Sequence, residues 1–213
     1  MKDDFFEINT GLMKWDLKSI DKETNHPYLN YFVLHYDVSK EGGKKEHVYF
    51  TASRKDSSSL RSFTHDYTHP DGVIIGIYRF NDGKLEILLT KQFREPIGTY
   101  VFSIPAGLVD GNEELAETAS REAREETGIT SLKNLEVLTP FSPTSSGLSD
   151  ESNAFVMAEA EYQDSSSLEE FEDISTKFVS IEKCLELFKD PKYIIPLHVR
   201  MWILYMSERF KAK

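Results

Sequence analysis

Residues 107–129 read GLVDGNEELAETASREAREETGI, and this stretch restricts the fold more than any other in the chain. Pro105, Gly107, Asp110 and Gly111 carry loop chemistry. From Glu113 to Thr127 the composition is dominated by Ala, Glu, Leu and Arg with no interior Gly or Pro, which predicts a helix. Asp110 and Glu113 have capping-box spacing, and Asn112 is a competing N-cap. Gly128 suits a left-handed stop, and Ile129 suits the apolar contact after it. Leu115, Ala119 and Ala123 recur every four residues and mark one packing face, small enough for close approach.

Glu122, Glu125 and Glu126 sit at i, i+3 and i+4 on another face. Like charges at that spacing repel. They become favourable when a hard cation binds between them, since such ions take oxygen ligands together with substrate phosphates. Arg121 lies four residues before Glu125, within pairing distance. A solvated Glu-rich surface helix explains the three glutamates alone about as well. It does not explain the full pattern of Gly107, Glu113, Arg121, Glu122, Glu125, Glu126 and Gly128. Seven fixed residue types at about 7% each arise by chance on the order of 10⁻⁶ per chain of this size.

Charge and cysteine content exclude several classes. The net charge of −11 argues against a nucleic-acid backbone as partner. An anionic substrate would need a metal and local Arg or Lys to offset that field. One cysteine, Cys184, permits neither an intrachain disulfide nor a zinc cluster, and fits a reducing cytoplasm. It lies on the periodic stretch 181–188 and reads as a small core residue rather than a nucleophile. The opening MKDDFFEINT is acidic and lacks the apolar run of a signal peptide. No stretch approaches the roughly 18 apolar residues of a membrane span.

Along the chain, YLNYFVLHYDV (28–38) and HVYFTA (47–52) flank a Gly-Gly turn and predict a β-hairpin. Residues 57–69 read as a polar loop. Strands are predicted at 71–80, 85–91, 100–104, 135–138 and 153–162, with a brief pairing at 178–179. Residues 139–151 read as a Ser/Pro/Gly loop and 163–173 as an acidic surface loop. Ser180 is placed to cap a helix running to about Phe188, and 197–211 predicts an apolar C-terminal helix. Trp15, Tyr28 and Tyr31 could stack on a base, but apolar packing is the commoner use of such residues. His26, His35, His47, His65 and His69 show no metal-ligand spacing. Strands before and after the carboxylate helix make an α/β sandwich with a mixed sheet.

The segment from Gly107 to Gly128 resembles the Nudix box. Every fixed position is present, and Ala123 stands where the family more often has Leu, Ile or Val. The resemblance implies a Nudix-type α/β/α sandwich over 70–213, with a small N-terminal β subdomain over 1–69. It implies a homodimer acting on a small nucleoside diphosphate compound, and the charge, hydropathy and lone cysteine add the expectation of a cytoplasmic protein with neither nucleic acid nor membrane as partner. Glu122, Glu125, Glu126 and the Ala106 carbonyl would ligate Mg²⁺ or Mn²⁺, and Arg121 would fix the glutamates. Glu113 would support them. Gly107 and Arg94 would contact substrate, and Glu151 is placed to serve as base.

Gln92-Phe93-Arg94, Pro105-Ala106-Gly107 and Pro143 resemble the ADP-ribose diphosphatase subgroup. Ser103 departs from it, standing where that subgroup commonly has Glu. Leu88-Leu89-Thr90-Lys91 is similar to a coenzyme A diphosphatase motif, but the PGG that should follow is PAG here. The expected reaction is hydrolysis of ADP-ribose to AMP and ribose 5-phosphate. The alternatives are another nucleotide-sugar diphosphatase and a non-catalytic nucleotide-sensing Nudix module.

Overall fold

A computed structural model describes residues 11–163, 168 and 173–211. The opening MKDDFFEINT and most of the acidic stretch expected as a surface loop at 163–173 lie outside the described residues. The chain divides into two compact units: residues 1–69 with 143–152, and residues 70–142 with 153–213.

The first unit is a three-stranded antiparallel sheet of β1 (Lys14–Lys22), β2 (Asn30–Lys40) and β3 (Gly43–Ser53) in that order. The predicted hairpin is β2 and β3, turning after Lys40, which pairs with Gly43. Gly42 takes a positive φ of 104° there, open to Gly because it has no Cβ. β1 is an addition: its sequence, KWDLKSIDK, has no apolar run and its pairing slips between Leu17 and Ser19. Phe32, Leu34 and Leu60 form a small buried core. Trp15 meets Tyr36 edge-on at 5.9 Å and Tyr31 stacks on Phe50 at 6.2 Å, yet both stay substantially exposed, as does Tyr28. Within the expected loop 57–69, a one-turn helix α1 (Arg61–Thr64) forms.

Arg61 organises this unit. Its guanidinium donates to the carbonyls of Asp66 at 2.6 Å, His69 at 2.7 Å and Asp150 at 3.0 Å, and to the Ser152 hydroxyl at 2.8 Å. Tyr49 donates to the Gly147 carbonyl, and the Ala52 N–H to that of Leu148. Residues 143–152 therefore belong with the N-terminal strands, although the sequence suggests that they continue 70–213.

The second unit holds a seven-stranded mixed sheet. Its strands are β4 (Gly72–Asn81), β5 (Lys84–Arg94), β6 (Thr99–Ser103), β7 (Ala106–Leu108), β8 (Ile129–Pro143), β9 (Ser152–Gln163) and β10 (Ile174–Ser180). The order is β10-β5-β4-β9-β8, with β6 on β5 and β7 on β4. β4 runs parallel to β9 and antiparallel to β5 and β7, which makes the sheet mixed. β8 continues to Pro143, so the loop expected from 139 begins later.

Alternation along β4 sends side chains to two cores. Val73, Ile75 and Ile77 pack with Ala119 and Ala123 of α2 (Leu115–Thr127). Ile74 and Tyr78 pack with Cys184 and Leu187 of α3 (Ile181–Leu187) and with Val199, Trp202, Ile203 and Met206 of α4 (Leu197–Arg209). Helices thus cover both faces, giving the α/β/α sandwich. Gly76 makes room for α4: a Cβ there would lie 2.6 Å from the Trp202 ring. Ser180 caps α3 by accepting from the Lys183 N–H at 3.3 Å. Cys184 is fully buried, and burial pushes its thiol up to about 12. Among the described residues no helix is long and apolar enough to cross a membrane.

Candidate active site

β7 and α2 build the site. The helix starts later than either cap suggested by the sequence: Glu114 is the N-cap, two residues after Asn112 and four after Asp110, in a capping box with Glu117, whose carboxylate accepts from the Glu114 N–H at 3.1 Å. The reason is tertiary. Glu113, free of cap duty, accepts from the Arg121 Nε at 3.1 Å, from its Nη2 at 3.0 Å and from the Thr118 hydroxyl at 3.0 Å. Gly128 ends the helix in the left-handed region, φ 73°, and Ile129 behind it is buried.

Arg121 is the hub. Its Nη1 donates to Glu122 Oε1 at 2.7 Å and to Glu125 Oε2 at 3.2 Å, and its Nη2 donates to the Leu108 carbonyl at 2.9 Å. Bonds to Glu113 first, and then to Glu122 and Glu125, hold the guanidinium protonated far above its ordinary range. Glu113 is held below the usual carboxylate range, chiefly by Arg121. Glu126 is nearly buried, 7% exposed, and accepts from the Ala106 N–H at 3.3 Å. Two ties, Arg121 to Leu108 and Glu126 to Ala106, pin the helix onto β7.

Gly107 is a glycine for a reason the sequence does not reveal. It is a strand residue paired with Val73, not a tight-turn residue, and its φ is not positive. A Cβ at this position would overlap the Glu122 carboxyl group. Glu122 therefore lies directly against the backbone beside Ala106.

The donor set is hard oxygen: the carboxylates of Glu122, Glu125 and Glu126, with the Ala106 carbonyl on the adjoining strand. That chemistry fits a divalent cation such as Mg²⁺. Among the described residues no three acidic, His or Cys side chains already converge as a metal cage. The Arg121 guanidinium instead bridges Glu122 and Glu125, so one fixed cation serves several glutamates.

Arg94 ends β5, where its carbonyl accepts from the Ile97 and Gly98 N–H groups at 3.0 and 2.8 Å. It lines a pocket of about 400 Å³ that also takes in Ala106, Ser103, Asn153 and His198. Asn153 and His198 have no spacing signal in the sequence; the fold alone brings them here. Glu151 lies in the first unit, where it accepts from the Thr144 hydroxyl at 3.2 Å and stands 3.6 Å from the Arg54 Nε.

A family model described as the NUDIX domain matches residues 69–197, more than half of the chain. The chain belongs to the Nudix family. Nudix hydrolases generally need a divalent metal ion, consistent with the oxygen-rich site. The chain is similar to the ADP-ribose pyrophosphatase of Saccharomyces cerevisiae, 48% identical over 27% of this chain and 26% of that one. It is also similar to the ADP-ribose pyrophosphatase of Bacillus subtilis, 36% identical over 56% of this chain and 63% of the relative. Each match spans less than two thirds of the relative's length. The fold is shared with a solved structure titled an ADP compounds hydrolase, with a TM-score of 0.68 and 16% identity over 95% of this Nudix chain and 97% of that one.

Proposed function

We propose that this Nudix protein hydrolyses the diphosphate bond of a nucleoside diphosphate derivative, foremost ADP-ribose, to AMP and ribose 5-phosphate. The observation that carries this reading is the site itself: a cluster of glutamates sharing Arg121, set against Ala106, with an Arg94-lined pocket opening beside it. The two similar ADP-ribose pyrophosphatases point to the same substrate.

Glu122, Glu125, Glu126 and the Ala106 carbonyl would hold Mg²⁺, with Mn²⁺ as substitute. When bound, the ion neutralises phosphate oxygens and activates water. The chain's own residues do the rest. Arg121 positions Glu122 and Glu125. Gly107, without a side chain, lets the Glu122 carboxyl lie against the backbone, and would meet substrate through its main chain. Arg94 offsets phosphate charge, which a chain of net charge −11 needs at its binding site. Water adds at one phosphorus, the bond from that phosphorus to the bridging oxygen breaks, and each product leaves with one phosphate. Glu151 takes the proton released from the water. The reading includes a cytoplasmic homodimer: the dimer follows from the resemblance and the compartment from the lone buried Cys184. Other nucleotide sugars are a second reading, favoured by Ser103 in the pocket wall.

The test is a panel of ADP-ribose, other nucleotide sugars, NAD and coenzyme A with Mg²⁺ or Mn²⁺, scored for released monophosphate. AMP from ADP-ribose, abolished by a chelator, is the expected result. Tight binding without release on any compound would replace the enzyme with a sensing module.

A further inference from the structure

The pocket beside Ala106 has mostly aliphatic walls, including Ile97, Val101, Ile195 and Pro196. Into these walls are set Arg94, Ser103, Asn153 and His198. The four come from four separate elements: β5, β6, β9 and the first turn of α4. No partner is recorded among the described residues for either the Arg94 guanidinium or the His198 ring. The two groups differ in what they can recognise. Arg94 is a fixed cation with donors only. His198 is exposed as a residue, but its ring is pushed toward the neutral form, first by desolvation from neighbouring groups and second by the charge of Arg94. A neutral imidazole offers one donor and one acceptor, as do an amide and a hydroxyl in their own geometries. Three such amphoteric groups in an aliphatic pocket match hydroxyls, which also donate and accept. The single cation matches a phosphate.

We infer that His198 is a specificity-determining residue, reading a sugar hydroxyl of the substrate while Arg94, in the same pocket, holds the adjacent phosphate. The inference rests on the diphosphohydrolase reading above and deepens it. It places the hydroxyl-bearing half of the substrate next to Ala106, with Asn153 and Ser103 as further hydroxyl partners. Arg94 and His198 both reach solvent, so an analogue that lacks the hydroxyl should lose about the worth of one neutral hydrogen bond.

The experiment compares wild type, His198→Ala and His198→Asn on ADP-ribose and on ADP-ribose analogues lacking single hydroxyls of the terminal ribose. Losing one neutral hydrogen bond costs about tenfold in affinity. His198→Ala should raise KM for ADP-ribose by about that factor, with the loss read in KM rather than kcat. For one analogue, wild type and His198→Ala should give the same KM, which names the hydroxyl. His198→Asn, retaining a donor and an acceptor, should recover part of the loss. A KM for ADP-ribose unchanged in His198→Ala, or an equal loss on every analogue, would overturn this assignment alone. Absence of wild-type turnover on ADP-ribose would overturn the parent reading and this one with it.

Discussion

Arg61 and Arg121 are both well-sheltered arginines holding several acceptors, but they hold different things. Arg61 grips main chain: the carbonyls of Asp66, His69 and Asp150. Arg121 grips mainly carboxylates: Glu113, Glu122 and Glu125. Main-chain carbonyls are fixed, neutral acceptors that tie separate segments together, so the first arrangement is a lock. Carboxylates can exchange one cation for another, so on the proposed reading the second would be a set of ligands kept in order. An arginine fork thus serves stability in one place and readiness for a second cation in the other.

The largest effect should come from Glu126, the most buried of the three glutamates. Glu126→Gln keeps an oxygen acceptor for the Ala106 N–H but removes a charge, and turnover should fall by about 10³-fold or more. Circular dichroism should show the fold retained, and near-wild-type turnover would break the contrast between lock and ligand set. Next, Arg61→Ala removes one donor group from three loop carbonyls and from the hydroxyl of the buried Ser152. Urea denaturation should show the first unit destabilised by about 3 kcal/mol or more. A smaller change is expected from Arg121→Lys, which keeps the charge but loses the fork. kcat/KM should drop by about tenfold with little change in the denaturation midpoint. If stability fell instead, Arg121 would be a second lock.

The smallest effect is a pH dependence. Glu113 is held below its ordinary range by Arg121, so the unfolded chain binds its proton first as pH falls. Its stabilising contribution is full above the ordinary carboxylate value of about 4.3 and is lost as pH drops through the lowered folded value. Denaturation midpoints of wild type and Glu113→Gln should differ at neutral pH and converge in acid. A difference that grew in acid would reverse the sign and break the pairing.

Much of this was readable before any coordinates. The strand at β4, the stop at Gly128 and the Ala119/Ala123 face are local patterns, and local patterns survive folding. Three features were not readable, each for a physical reason. β1 has charged residues on an exposed strand, where partner hydrogen bonds rather than apolar burial decide its conformation. The cap moved to Glu114 because Glu113 has a better partner eight residues on, in Arg121. His198 enters the pocket through the packing of α4, which leaves no trace in residue spacing. Gly107 was legible as a fixed position but for the wrong cause: a carboxyl, not a turn, excludes its Cβ.

Arg61 reaches 91 residues along the chain to Ser152, so the first unit is assembled from two separated pieces of sequence. A ribosome delivers residues 1–69 long before 143–152, so the N-terminal strands emerge without the segment that satisfies Arg61. The usual order, in which the leading domain matures first, cannot hold here. Five of the seven strands of the carboxylate-bearing unit's sheet must be synthesised before the N-terminal unit can close. Cutting the gene after codon 69 would release an incomplete fold rather than a domain.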